Sequence, residues 1–316
     1  MVRHAENAPQ AGGIVEDHQL KIAVIINPIS GTGRRPDEGR RRAELAAALL
    51  EARGLDAEVF VTERARHAYD LARAAIAHGA SMCIAWGGDG TINEVASALA
   101  FSPVALAVIP SGSGNGLARE LAIPLQPGAA FDVAMNGREQ LIDAGEIEGR
   151  LFFNIAGLGF DARVAHEFAA SGHERRGFAR YITIAMRELV RFVPDTYTIS
   201  ANGTSLEIRA LFIAIANSRQ YGNGATIAPG ARIDDGALDV VIVSERSPLS
   251  AIAQMPLLFA GKVDRLPGVT IIPTTFVEIR STHQMLYHVD GEPALAGTSL
   301  HAKVHPAALR VRVPAQ

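Results

Sequence analysis

The sequence predicts an α/β domain built on a parallel sheet, followed by a β-rich domain, with a cleft between them. Three observations carry this prediction. Strand-like and helix-like segments alternate from Lys21 to about Arg138. Glycine-bearing loops follow three of those strands. After about Leu141 the chain changes to short runs joined by turn residues. The first pattern builds parallel sheets covered by helices, and the last builds antiparallel β structure.

In order, "KIAVIIN" reads as a strand and "PISGTGRRPDE" as a loop. "GRRRAELAAALLEARG" reads as a helix closed by Gly54, since glycine suits the left-handed conformation past a helix C-terminus. "DAEVFVT" is the next strand and "HAYDLARAAIAHG" the next helix, again closed by glycine. "SMCIAW" runs into "GGDGT", after which Ile92, Val95, Ala96 and Leu99 mark one helical face. "VALAVIP" then runs into "SGSGNGLAREL", a further strand, glycine loop and helix. "LIDAGEIEGRLFFNIAG" reads as two strands around a turn, and Asn202–Gly203 between alternating runs signals a hairpin. "LDVVIVS", "TTFVEIRS", "MLYHVDG" and "LRVRVP" add strands, with helical patterns near 176–192 and 248–261. The expected division is a flexible tail over 1–20, an α/β domain over 21–143 and a β-rich domain over 144–316, with the last strand free to return to the first domain.

Composition narrows the function classes. A chain of 316 residues with 48% hydrophobic and 20% charged residues suits two globular domains with a sizeable core. A net charge of −3 without a long basic block gives no reason to expect nucleic acid. The single cysteine, Cys83, precludes an intrachain disulfide, and its apolar strand pattern reads as a buried, inert thiol in a reducing, cytoplasmic setting. The first 20 residues lack the apolar region of a signal peptide. No apolar run approaches the roughly 18 residues of a transmembrane segment. The expectation is a soluble protein that touches a membrane from one side at most.

Three loops carry the chemistry: "NPISGTG" (27–33), "GGDGT" (87–91) and "SGSGNG" (111–116). Loops after parallel strands open at one sheet edge, where ligands of this fold class bind. A helix N-terminus there aims unpaired N–H groups at an anion, so the pattern predicts a phosphate site. None is a Walker A loop, because no Gly-Lys-Ser/Thr follows. Asp89 reads either as a turn residue or as the organiser of a cation, since a carboxylate among such amides repels phosphate unless a cation neutralises it. "GLGFDA" fits a dinucleotide-binding form but lacks the later acidic residue, and His301 and His305 lie in a strand-like stretch that would not offer a helical zinc face.

Together "NPISGTG", "VTERARHAYDLA", "GGDGTINEV", "PSGSGNGLAREL", "NIAGLGFDARV", "IAPGARIDDGALDV" and "HVDGEP" resemble the diacylglycerol kinase catalytic-domain family, soluble bacterial lipid kinases related to sphingosine and ceramide kinases. The ordered set runs from about Lys21 to Val313, although "GGDGT" alone also occurs in NAD kinases and phosphofructokinases. The resemblance implies phosphoryl transfer from ATP, with Mg2+, to a lipid hydroxyl at a membrane surface. It also implies a Rossmann-like α/β domain, a β-sandwich and a site in the cleft between them. It assigns Asn27, Ser30, Gly31, Thr62, Gly88, Gly90, Thr91, Ser113, Gly114 and Asn115 to the nucleotide, and Asp89, Asp161, Asp290 and Glu292 to catalysis. Among these, Asp290 is the implied proton acceptor, whereas spacing alone reads "VDGEP" as an exposed hairpin turn. Asp235, with backbone oxygens of Arg232 and Ala237, is the implied metal loop; without the family it reads as a turn.

Gly116 stands where many diacylglycerol kinases carry aspartate, and the "GSGN" form also occurs among sphingosine-type kinases, so the acceptor stays open between diacylglycerol-like and sphingoid-like lipids. The rival readings are an NAD kinase and a non-catalytic nucleotide- or lipid-sensing module. A peripheral place at the inner membrane face is expected, through 173–192 or 247–263. The oligomeric state, a homodimer included, is not legible.

Overall fold

A computed structural model describes residues 21–31, 37–55, 57–171 and 177–315. The expected tail and part of the first loop, Thr32 and Gly33, lie outside the described residues. The first half is built from β1 (Ile22–Ile26), α1 (Glu38–Glu51), β2 (Ala57–Val61), α2 (His67–Ala77), β3 (Met82–Gly87), α3 (Asp89–Leu99), β4 (Ala105–Pro110), α4 (Gly116–Glu120) and α5 (Pro127–Asn136). β2, β1, β3 and β4 pair in parallel in that order. β1, β3 and β4 are buried along their whole length, the continuous apolar runs that a sheet covered on both faces requires. β2 is the edge strand, half exposed, with Glu58 facing outward. Cys83 is buried in β3, and burial pushes its thiol up to about 12, so it stays protonated and inert.

The second half comprises β5 (Arg138–Ile147), β6 (Arg150–Phe152), β7 (Ile155–Gly159), α6 (Phe160–Ala170), α7 (Phe178–Arg191), β8 (Asp195–Ala201), β9 (Thr204–Ala216), β10 (Leu238–Ser244), α8 (Pro248–Phe259), β11 (Val269–Thr274), β12 (Phe276–Ser281), β13 (Met285–Val289), β14 (Glu292–Ala296) and β15 (Ser299–Val313). β8 and β9 form the hairpin at Asn202–Gly203, both residues at positive φ (52° and 75°) as its turn demands. β9 shows how the sandwich is made. Ile213 and Ile215 enter one apolar cluster with Leu238, Val240 and Ile279, while Leu211, Ala214 and Ala216 enter another with Leu189 and Val241.

β15 joins the halves. It pairs antiparallel with β12 and β5, and in parallel with β4 through Val311 and Leu106. Leu300 and Ala302 belong to the sandwich core, and Leu309, Val311 and Val313 to the α/β core. A bulge between His305 and Leu309 lets the strand change partners.

Three elements differ from the sequence reading. The stretch expected as two strands makes three, β5 to β7. The helix after the third glycine loop is only five residues long and is followed by a separate helix, α5, where Pro127 takes the first turn. α6 was not expected: Gly159 at φ 83° turns β7 straight into it without a loop. His301 and His305 lie on β15, and among the described residues no three His, Cys, Asp or Glu side chains gather for a metal.

Candidate active site

The loops after β1, β3 and β4 form one hydrogen-bonded group. Asn27 Nδ2 donates to Thr91 Oγ1 at 2.8 Å, and Ser30 Oγ lies 2.7 Å from Ser111 Oγ. Gly88 and Gly112 cross so closely that a Cβ on Gly112 would stand 2.7 Å from Gly88 Cα. Only bare backbone fits there. Gly31, at φ 105°, lies against Ser111 O in the same group. Asn115 takes the left-handed conformation (φ 53°) and clamps its own loop, accepting from Gly112 N–H at 2.8 Å and donating to Gly112 O at 3.0 Å.

Asp89 is the hub. Its Oδ1 accepts from Gly116 N–H at 2.7 Å and its Oδ2 from Asn115 N–H at 2.9 Å. Burial pushes its carboxyl up to about 6; the two N–H groups oppose that shift and the charge of Asp290 adds to it. The fourth helix therefore spends its first amides on a carboxylate. The amides of Gly90 and Thr91 in the first turn of α3, which no intrahelical carbonyl can satisfy, remain for an anion.

The β-rich half contributes a second acidic group. Asp290 sits in the β13–β14 turn at φ 46°, followed by Gly291 at φ 89°. Its Oδ1 accepts from Asn154 and Ile155 N–H, and its Oδ2 from Phe153 N–H, all at 3.0 Å, with Asn93 Nδ2 donating to Oδ2 at 2.8 Å. Burial raises its carboxyl pKa and those four donors pull the other way. With all four lone pairs occupied, Asp290 holds the turn and Asn93 of α3 together. Glu292 is exposed, and among the described residues its carboxylate makes no hydrogen bond. A Cβ on Gly90 would lie 2.9 Å from Glu292 Oε1, so this carboxylate faces the signature loop across the cleft. Asp161, buried at the start of α6, accepts from Tyr221 Oη at 2.8 Å and lies 3.3 Å from His288 Nε2.

Not every sequence-expected residue joins this group. Thr62 follows the last residue of β2 at the same sheet edge, its N–H donating to Ile26 O at 2.8 Å. The 232–237 loop stands apart: Asp235 Oδ1 accepts from Ala237 N–H at 3.1 Å, Arg232 reaches Asp234 at 3.5 Å, and Gly236 N–H donates to Asp143 Oδ2 at 2.6 Å. None of those bonds reaches the glycine loops. One carboxylate with a free Oδ2 beside main-chain oxygens is nonetheless a hard donor set of the kind magnesium accepts.

Several residues of the site escaped sequence reading. Arg42 of α1 is buried and donates to Asn27 O (2.8 Å), Ser30 Oγ (2.6 Å) and Ser30 O (2.9 Å), so it shapes the first loop from behind. Buried Asp143 accepts from Gly236 and Ala307 N–H, tying the 232–237 loop to the bulge of β15. Asn93 carried a signal, four residues after Asp89 and so on the same helical face. Arg42 carried only its i,i+4 spacing from Glu38, and Asp143 carried none, because its partners are main-chain groups.

The site combines a phosphate-type glycine cluster with a facing carboxylate from a second domain, the plan of a phosphotransferase. Residues 21–147 match the diacylglycerol kinase catalytic domain, and residues 154–313 match the YegS C-terminal NAD kinase beta sandwich-like domain. A probable lipid kinase YegS-like of Pseudomonas fluorescens is 34% identical over 278 residues, covering 86% of this chain and 91% of that protein. A diacylglycerol kinase of Mycobacterium tuberculosis is 31% identical over 312 residues, covering 96% and 99%. The crystal structure of a putative diacylglycerol kinase from Bacillus anthracis superimposes with a TM-score of 0.74 at 20% identity, covering 93% of this chain and 97% of its own, a likeness of fold. The chain belongs to the diacylglycerol kinase family of lipid kinases.

Proposed function

We propose that this kinase transfers the γ-phosphoryl group of ATP to the hydroxyl of a diacylglycerol-like or sphingoid-like lipid. The observation that carries the reading is the approach of Glu292 to Gly90, which sets a free carboxylate opposite the glycine loops. The hydroxyl oxygen forms a bond to the γ-phosphorus, the bond to the β–γ bridging oxygen breaks, and ADP leaves. Glu292 takes the hydroxyl proton; Asp290, fully occupied by donors, positions the turn that presents it. The base needs little intrinsic strength because the proton leaves late in a loose transition state. Asp89 is the carboxylate that would hold magnesium at the phosphates, and Asp235 with the Arg232 and Ala237 oxygens would hold a second ion. Magnesium there supplies neutralisation of phosphate charge. Gly88, Gly90, Thr91, Ser113 and Gly114 lie where main chain can approach the phosphates, with Asn27, Ser30, Gly31 and Asn115 fixing the loops.

Incubation with γ-labelled ATP and a lipid panel, or with NAD, followed by organic extraction, tests the reading. Label in the organic phase is expected. Label on NAD, or none in either phase, would overturn it.

A further inference from the structure

The segment Ser218–Thr226 leaves the end of β9 and lies across the third glycine loop. A bridge between Gln220 and Thr226 and a Tyr221 N–H donated to Ala225 O at 3.0 Å close it into a tight loop. It is pinned to the α/β half at several points. Arg219 Nε donates to Glu120 Oε1 at 2.9 Å, and Glu120 is only 6% exposed. Asn223 Nδ2 donates to Ser113 O at 2.8 Å. A Cβ on Gly222, at φ 130°, would stand 2.9 Å from Gly114 O, and one on Gly116 would stand 2.6 Å from Tyr221 O.

The same segment reaches the acidic side of the cleft. Tyr221 Oη donates to Asp161 Oδ2 at 2.8 Å, and His288 Nε2 lies 3.3 Å from that same oxygen. Gly291 N–H donates to His288 Nδ1 at 3.3 Å, so Nδ1 is the acceptor and Nε2 carries the proton given to Asp161. A continuous line of contacts thus runs from Ser113 and Gly114, through Tyr221, Asp161 and His288, to the glycine between Asp290 and Glu292. Burial and the charge of Asp161 hold the Tyr221 phenol well above its ordinary pKa, so it remains a donor.

We propose that Ser218–Thr226 is a strap that fixes the spacing between the third glycine loop and the Glu292 turn, with Tyr221 as its positioning residue. This rests on the ATP-to-lipid reading above. A phenylalanine at 221 fills the same space but withdraws a donor from Asp161, which loosens His288 and the turn beyond it without disturbing the core.

The test compares the full-length parent with Tyr221→Phe and Asn223→Ala in steady-state kinetics, ATP titration calorimetry and thermal melting. Tyr221→Phe is expected to lower kcat about tenfold, the effect of one hydrogen bond to a charged group. ATP affinity should stay within about twofold, and Tm should fall by no more than the few degrees that one lost buried hydrogen bond costs. Asn223→Ala is expected to weaken ATP binding several-fold. Parental kcat in Tyr221→Phe overturns the proposal, as does a loss of kcat that disappears when the assay is run well below the variant's Tm. A parent that labels no lipid defeats the functional reading instead; the calorimetry of Asn223→Ala then decides the strap alone, and unchanged affinity sinks it.

Discussion

At Asp290 and Glu292, two carboxylates two residues apart have opposite surroundings. Replacing Asp290 by Asn sets an amide NH2 against main-chain N–H donors from Phe153, Asn154 or Ile155. Leaving buried donors unpaired costs about 1–3 kcal/mol, so Asp290→Asn should lower Tm by several degrees as well as turnover. Glu292→Gln should leave Tm unchanged and lower kcat by about 10²–10⁴-fold, the usual range for a lost general base. Melting curves beside turnover numbers separate the two; parental turnover in Glu292→Gln would return the base role to Asp290. Asp89 adds a pH dependence. Burial holds its folded-state carboxyl at about 6, above the ordinary aspartate range, so the fold favours the proton and loses stability as pH rises from about 4 through 6. Cation binding and catalysis need the ionised form, so kcat/KM should fall about tenfold per pH unit below 6. A magnesium-saturated pH–rate profile and an apo melting series from pH 4 to 8 check both signs.

At the scale of elements, the glycine loops were easier to read from the sequence than the contacts that hold them together. Strands β1, β3 and β4 and their glycine loops were legible because burial on both faces leaves an unbroken apolar run, and because tight backbone crossings demand glycine. α6 was not, since its start depends on the φ of Gly159 and on packing against α7. Gly90 opens α3 beside Glu292 Oε1, the mobile end of an exposed side chain. Gly90→Val should therefore fold, with ATP KM raised several-fold or turnover lost; unchanged ATP affinity would remove α3 from the phosphate site. In the 232–237 loop, Asp235→Ala should flatten the magnesium-dependent rise in Tm, because an ion that binds only the folded state stabilises it by mass action. A parental response in that variant would leave the loop as a turn held by Asp143.

For the whole molecule, the two-part plan was legible in the change of pattern near Leu141, while the order of strands along the path that runs through both parts was not. Strand periodicity reports faces, not neighbours. No helix among the described residues is long and apolar enough to cross a membrane. The solvent-facing stripe of α8, Leu249, Ala253 and Pro256, with Ala260 just past its end, carries no charge. Co-sedimentation with vesicles should rise with anionic lipid and fall with salt if the kinase works at a bilayer surface; binding indifferent to lipid composition and salt would discard that expectation.

β15 is also an event in time. A ribosome that has released Lys21–Ile147 has delivered all three glycine loops, yet β4 still waits for Val311 along its open edge. An unpaired edge invites pairing with the wrong chain, and contacts this far apart in sequence form slowly. The nascent α/β half must therefore be kept from aggregation until translation reaches the strand that seals it.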